Sequence, residues 1–130
     1  MLGTPLARAV RNSTALEAAR STGGVGELIV ALLDAGVRRL MIGLGGSSTS
    51  DGGAGMLAAL GLRLAAGNGD VVAPTPAGLA NLASADAGGL DPRLGGCAIT
   101  IMSDVNNPLC GERGATAIFG PQKGVRAGEV

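Results

Sequence analysis

Between Leu40 and Gly61 the sequence reads LMIGLGGSSTSDGGAGMLAALG, and no other stretch restricts the fold of this chain so strongly. A short apolar run enters a loop of glycines and hydroxyl residues, meets one carboxylate at Asp51, and leaves with Met56, Leu57 and Leu60 at helical spacing. Strand, polar turn and helix in that order form the unit on which α/β proteins hold anions, because the free amides at a helix start favour negative charge. The turn is of no standard nucleotide-binding type. It contains no Gly-x-x-x-x-Gly-Lys-Ser/Thr element, and Ser48 stands where the dinucleotide fingerprint begun by Gly43 and Gly45 needs its third glycine. What remains is an anion cradle of amides and four hydroxyls, Gly45 to Ser50, beside a carboxylate that would repel a bare phosphate. A Mg²⁺ ion between them, or a substrate hydroxyl donating to Asp51, would relieve that repulsion. The plainer alternative is a glycine-rich turn in which Ser50 or Asp51 caps the helix.

The rest of the chain supplies elements to pack around this unit. Residues 1–22 have no clean period, with an Ala-rich helical stretch around Thr14 to Arg20, and read as a poorly patterned N-terminal segment. From Val25, the residues Leu28, Ile29, Leu32 and Leu33 mark one face of a helix that Gly36 stops. Leu40 to Ile42 and Cys97 to Met102 read as strands buried on both faces. Leu62 to Ala65 and Asp70 to Val72 flank Gly67-Asn68-Gly69 as a hairpin, Pro76 opens a short helix ending near Ala83, and residues 84–96 read as a loop. Ala115 to Phe119 form a last helical turn or two. The order predicts an α/β layered fold with a mixed sheet.

Composition removes several classes of function. The chain has 130 residues, enough for one domain, and 10 basic residues against 10 acidic ones leave no basic stripe for a nucleic acid. Phe119 is the only aromatic residue, so no stacking platform exists either. No apolar run reaches the roughly 18 residues of a membrane span, and no signal-peptide pattern opens the chain, so a cytoplasmic protein is expected. Cys97 and Cys110 read as free thiols, and without any histidine acid–base work falls to Asp, Glu or Lys.

Two further sites of chemistry stand out. Asp104, Asn106 and Asn107 directly follow the second strand, where open sheets bind ligands; the alternative is a turn that uses these side chains on its own backbone. Lys123 is the only lysine among ten basic residues, and its flexible ammonium suits a phosphoryl or carboxylate contact.

Together these stretches resemble the bacterial glycerate kinase family. Its signature loop, close to GIGGSATNDGGAGM, is matched by GLGGSSTSDGGAGM from Gly43 to Met56. A second stretch, close to DVNNPLxGxxGAxAxFGPQKG, is matched by DVNNPLCGERGATAIFGPQKG from Asp104 to Gly124. The GVGELI run from Gly24 to Ile29 and the central hairpin are also similar, so that residues 23–130 read as a partial domain of a two-domain α/β kinase. The resemblance implies ATP- and Mg²⁺-dependent phosphorylation of glycerate. It points to Asp51, Asp104 and Lys123 as catalytic residues, with Asp51 or Asp104 holding the metal. It also points to Gly45, Gly46, Ser47, Thr49, Gly52, Gly53, Asn106, Asn107 and Gln122 as substrate- or phosphate-binding residues. Ser48 and Ser50 replace the family's usual Ala and Asn. The Ser-Phe-Lys-Gly-Ser and Thr-Gly-Glu-Gly-Arg motifs of the family have no counterpart, so this stretch alone is expected to be inactive. The alternative is a non-catalytic α/β remnant that binds an anion or a partner.

Overall fold

The computed structural model describes residues 19–126 and 128. Most of the N-terminal segment, with the helical stretch read from Thr14, therefore lies outside the described residues. Helix α1 spans Gly23–Asp34 and strand β1 Arg39–Gly43, followed by helix α2 at Ala54–Ala59 and strand β2 at Arg63–Ala65. A short helix α3 at Pro76–Leu79, strand β3 at Ser84–Asp86 and a 3-10 turn at Pro92–Gly96 lead to strand β4 at Ala98–Met102. Helix α4, Ala115–Lys123, comes last.

Strands β1 and β4 pair in parallel, with Arg39 opposite Ala98 and Gly43 opposite Met102. The ladder runs one step further, because the Leu44 amide donates to the Met102 carbonyl at 2.8 Å. Parallel pairing has a direct consequence for the site. The loops that follow the two strands leave from the same end of the sheet, the end at which open α/β sheets bind ligands.

The core is aliphatic, as a chain with one aromatic residue requires. Ile29 and Leu33 of α1, Leu40 of β1 and Leu60 after α2 form the main cluster, with Val30, Leu94 and Cys97 against it. Leu33 is almost wholly enclosed. A smaller cluster joins Ala54, Leu64 and Val72. Helices α1 and α2 touch backbone to backbone: a Cβ at Gly26 would collide with the Met56 carbonyl and the Ala59 methyl. The face expected of α1 is largely kept, with Ile29 and Leu33 buried beside Gly26 and Leu32 packed against the core, but Leu28 is exposed.

Three other expectations change. The expected cover on both faces is not found: β1 buries Leu40 while Met41, on its opposite face, is 69% exposed, and all five residues of β4 are exposed, Ile101 at 54% although it shares the face of Leu40. The Asn68-Gly69 turn is present, with the Ala66 amide donating to Asp70 and a single bridge from Ala65 to Val71. The regular partner of β2, however, is β3, antiparallel, with Arg63 opposite Asp86, inside the stretch read as loop. The short helix opens at Pro76 as expected, capped by the Thr75 hydroxyl, which accepts from the Gly78 amide at 3.2 Å, but it ends at Leu79.

At the opposite end of the sheet from the two loops, Asp91 caps the 3-10 turn and grips Arg93 through both carboxylate oxygens. Arg93 reaches on to Asp34 at 2.7 Å, tying the end of α1 to the entry of β4. The Arg93 guanidinium lowers the Asp91 carboxyl to about 2.

Candidate functional site

The loop after β1, the loop after β4 and the last turn of α4 enclose a cavity of about 470 Å³. Gly45, Gly46 and Ser47 supply one wall, Asp104 and Asn107 a second, and Gln122 and Lys123 a third. Leu44, Val105, Ala115 and Phe119 complete the lining with apolar surface. The volume lies within the range of small-molecule sites, and a few polar groups on apolar walls are their usual make-up.

Each polar wall is held by contacts that can be traced to particular residues. The Ser47 hydroxyl donates to the Thr49 carbonyl at 3.0 Å, which folds the glycine loop on itself. The same carbonyl accepts from the Lys123 ammonium at 2.9 Å, across 74 residues of chain. The Asn107 side chain donates to the Arg113 carbonyl at 3.0 Å, closing the segment that leads to α4. Ser103 and Val105 share a local turn in which the Ser103 hydroxyl both accepts from and donates to Val105. Lys123 sits at the C-terminus of α4, where its charge complements the helix dipole.

Asp51 is not on the cavity wall. It is 2% exposed, and its carboxylate accepts from four protein donors: the Thr22 amide at 2.7 Å, the Thr22 hydroxyl at 2.8 Å, and the Gly53 and Gly55 amides at 3.1 Å each. Thr22 reciprocates, its hydroxyl accepting from the Met56 amide at 2.9 Å. The two side chains thus satisfy free amides at the start of α2 and bind them to the entry of α1. Burial pushes the Asp51 carboxyl up, but the Thr22 amide and hydroxyl and the Gly55 and Gly53 amides together outweigh it and hold the group below its ordinary value. Gly55 has to be glycine for the same reason. A Cβ there would run into the Ser21 hydroxyl and the Gly23 amide.

Of the twelve residues singled out from the sequence, seven meet at the cavity: Gly45, Gly46, Ser47, Asp104, Asn107, Gln122 and Lys123. Thr49 stands behind the wall and serves through its carbonyl, while its hydroxyl donates to the Arg20 carbonyl at 3.2 Å. Gly52 and Gly53 belong to the turn around Asp51, and Asn106 is exposed beside the cavity without lining it. Sequence reasoning missed two residues that organise this region, Arg20 and Thr22. For Thr22 a signal exists, since a hydroxyl residue just before a helix start is a typical cap. Arg20 donates to the Ser48 carbonyl at 2.8 Å and to the Lys123 carbonyl at 3.1 Å, contacts that no local pattern announces.

The cavity's donor set can be compared with the groups a kinase site must hold. Among the described residues no cluster of three or more carboxylate, thiol or imidazole groups exists, so no all-protein metal cage is formed. Asp104 is the one carboxylate on the wall, which matches Mg²⁺, commonly held by one or two carboxylates plus substrate phosphates. The Ser47 hydroxyl and the Lys123 ammonium beside exposed glycine backbone suit phosphate oxygens.

The model of the glycerate kinase family matches residues 2–130. This chain belongs to the glycerate kinase family. It is 55% identical over 107 residues to glycerate kinase of Bacillus subtilis strain 168, covering 82% of the chain and 28% of that protein. It is 50% identical over 101 residues to glycerate 2-kinase of Escherichia coli K12, covering 78% of the chain and 26% of that protein. The crystal structure of a protein described as a candidate glycerate kinase 2 from Salmonella typhimurium LT2 superposes with a TM-score of 0.81 at 52% identity, over 84% of the chain and 30% of that protein. The α/β fold is shared, and the chain spans a little over a quarter of the length of the curated relatives. Among the described residues no helix is long and apolar enough to cross a membrane.

Proposed function

We propose that this chain supplies part of the phosphoryl-transfer site of an ATP-dependent glycerate kinase, and that the cavity between the two strand-end loops and α4 receives the transferring phosphate. The observation that carries the reading is the meeting of Gly45, Gly46 and Ser47 with Asp104 and Lys123 around one cavity, although 78 residues separate Gly45 from Lys123.

Phosphoryl transfer asks a protein mainly for positioning and for stabilisation of charge on the transferred oxygens, and none of that requires the histidine this chain lacks. The Gly45–Ser47 segment cradles phosphate oxygens with its backbone and the Ser47 hydroxyl. The Lys123 ammonium turns from the Thr49 carbonyl to the phosphate and neutralises charge there. Asp104 either holds Mg²⁺ carried by the nucleotide or orients the glycerate hydroxyl, with Asn107 and Gln122 donating to the substrate carboxylate. Held by Asp104, Mg²⁺ would supply positive charge that offsets the charge of the phosphate. Asp51 enters as a positioning residue, since its carboxylate is engaged by protein amides. The remaining walls come from the parts of a family member that this chain does not span, and activity belongs to the assembled whole in the cytoplasm.

The experiment is a hybrid in which this chain replaces the matching segment of the Bacillus subtilis relative, assayed for ATP-dependent phosphorylation of glycerate. The hybrid is expected to be active, with Lys123→Met and Asp104→Asn each lowering kcat by about 10²-fold or more. Wild-type rates in both variants would refute the site.

A further inference from the structure

We infer that Arg20 is a positioning residue for this site, a clamp that fixes the Lys123 ammonium against the glycine loop. The inference rests on the proposed function for its chemical purpose and on the following contacts for its geometry. One guanidinium nitrogen of Arg20 bridges two carbonyls from different walls, Ser48 at 2.8 Å and Lys123 at 3.1 Å. The Arg20 carbonyl accepts from the Thr49 hydroxyl at 3.2 Å, and the Thr49 carbonyl accepts from the Lys123 ammonium at 2.9 Å. These four bonds close a ring through Arg20, Ser48, Thr49 and Lys123, drawn from three separate parts of the chain.

Two physical effects favour the clamp. The Lys123 carbonyl belongs to the C-terminus of α4, where carbonyls lack helical partners and a cation is stabilised by the dipole. Charge-assisted donation from arginine is also stronger than a neutral bond, and its planar group serves two acceptors without rearranging. Arg20 itself does not line the cavity, so it acts through Lys123 and the loop. The loop carries glycines that would otherwise leave its backbone free to move. Without the clamp, α4 and the loop lose their shared anchor, and the ammonium no longer has one resting place relative to the phosphate cradle.

The chain carries its own probe, because Lys123 is its only lysine. The test is the rate at which an amine-acylating reagent modifies Lys123, read by peptide mass spectrometry on the whole chain without nucleotide. Alkylation of Cys97, which packs against the main core, serves as the gauge of general loosening. Arg20→Ala is expected to raise Lys123 modification at least about threefold while Cys97 alkylation stays unchanged, and Arg20→Lys, which keeps a cation and its donors, to recover part of the protection. An unchanged Lys123 rate in both variants overturns the inference. A parallel rise at Lys123 and Cys97 overturns it too, since Arg20 would then merely hold the fold. Protection of Lys123 by Mg·ATP in the unsubstituted chain is read separately, so a failed site reading is distinguishable from a failed clamp.

Discussion

The Asp51 carboxylate rests on the Thr22 amide and hydroxyl at 2.7 and 2.8 Å, joining the start of α2 to the start of α1 across 29 residues. The most conspicuous carboxylate of the glycine loop is therefore a fastener between two helices, and the loop it closes is what faces the cavity. Asp51→Asn keeps the size of the side chain but places an NH₂ group among donors. It is expected to destabilise the chain by about 2–4 kcal/mol in urea unfolding, since several buried donors lose a charged acceptor. In the hybrid enzyme, kcat of the folded fraction is expected to fall by less than about tenfold, far less than for a group that touches the phosphate.

The same carboxylate sets an acid dependence. Held below its ordinary value of 3.8 in the folded chain, it binds its proton less readily than in the unfolded chain. The unfolded state therefore takes up more protons in acid, and stability falls as pH falls. The contribution of Asp51 is complete well above the ordinary value and is lost as pH drops through the lowered one. Urea midpoints of the native chain and of Asp51→Asn, measured between neutral pH and about pH 3, are expected to converge toward the acid end. A constant gap would mean that Asp51 titrates alike in both states.

How much of this could be read from residues alone depends on where each partner lies in the chain. Strand, turn and helix around Gly43 to Leu60 were legible because their spacing is local, and so was the start of α3 at Pro76. The role of Asp51 was not legible. Helix cap and metal ligand make the same demand on sequence, and the deciding partner, Thr22, is 29 residues away. Strand β3 escaped because Ser84-Ala85-Asp86 is exposed throughout and owes its conformation to pairing with β2. The apolar runs of β1 and β4 carry the pattern of doubly covered strands, but the described residues bury only Leu40 of β1 and leave every residue of β4 exposed. Of the residues named from the two long motifs, Gly45, Gly46 and Ser47 of the first and Asp104, Asn107, Gln122 and Lys123 of the second line one cavity, whereas Asp51, Thr49, Gly52, Gly53 and Asn106 do not.

Contact between α1 and α2 makes a separate prediction. Gly55→Ala puts a methyl group into the Ser21 hydroxyl and the Gly23 amide, so the gain in helix propensity is overwhelmed by overpacking. A loss of at least about 1–3 kcal/mol in urea unfolding is expected. A more stable variant would show that the helices can separate without penalty.

Leu33 tests the core in the other direction. It is 1% exposed and central to the main cluster, and Leu33→Ala leaves a cavity that few neighbouring side chains can fill. Urea unfolding is expected to register a loss of about 2–5 kcal/mol. The exposed Leu28, one residue before Ile29 on the same helix, is expected to change stability by less than about 0.5 kcal/mol when replaced by Ala.

The central claim is that Asp104 and Lys123, on different loops, serve one transferring phosphate. A double-mutant cycle in the hybrid enzyme measures this most directly, with Asp104→Asn, Lys123→Met and the pair compared by kcat for ATP-dependent glycerate phosphorylation. Residues that act on one group lose their effects together, so the pair is expected to be slower than the worse single variant by less than about tenfold. A pair whose loss equals the full product of the two single losses would contradict the account.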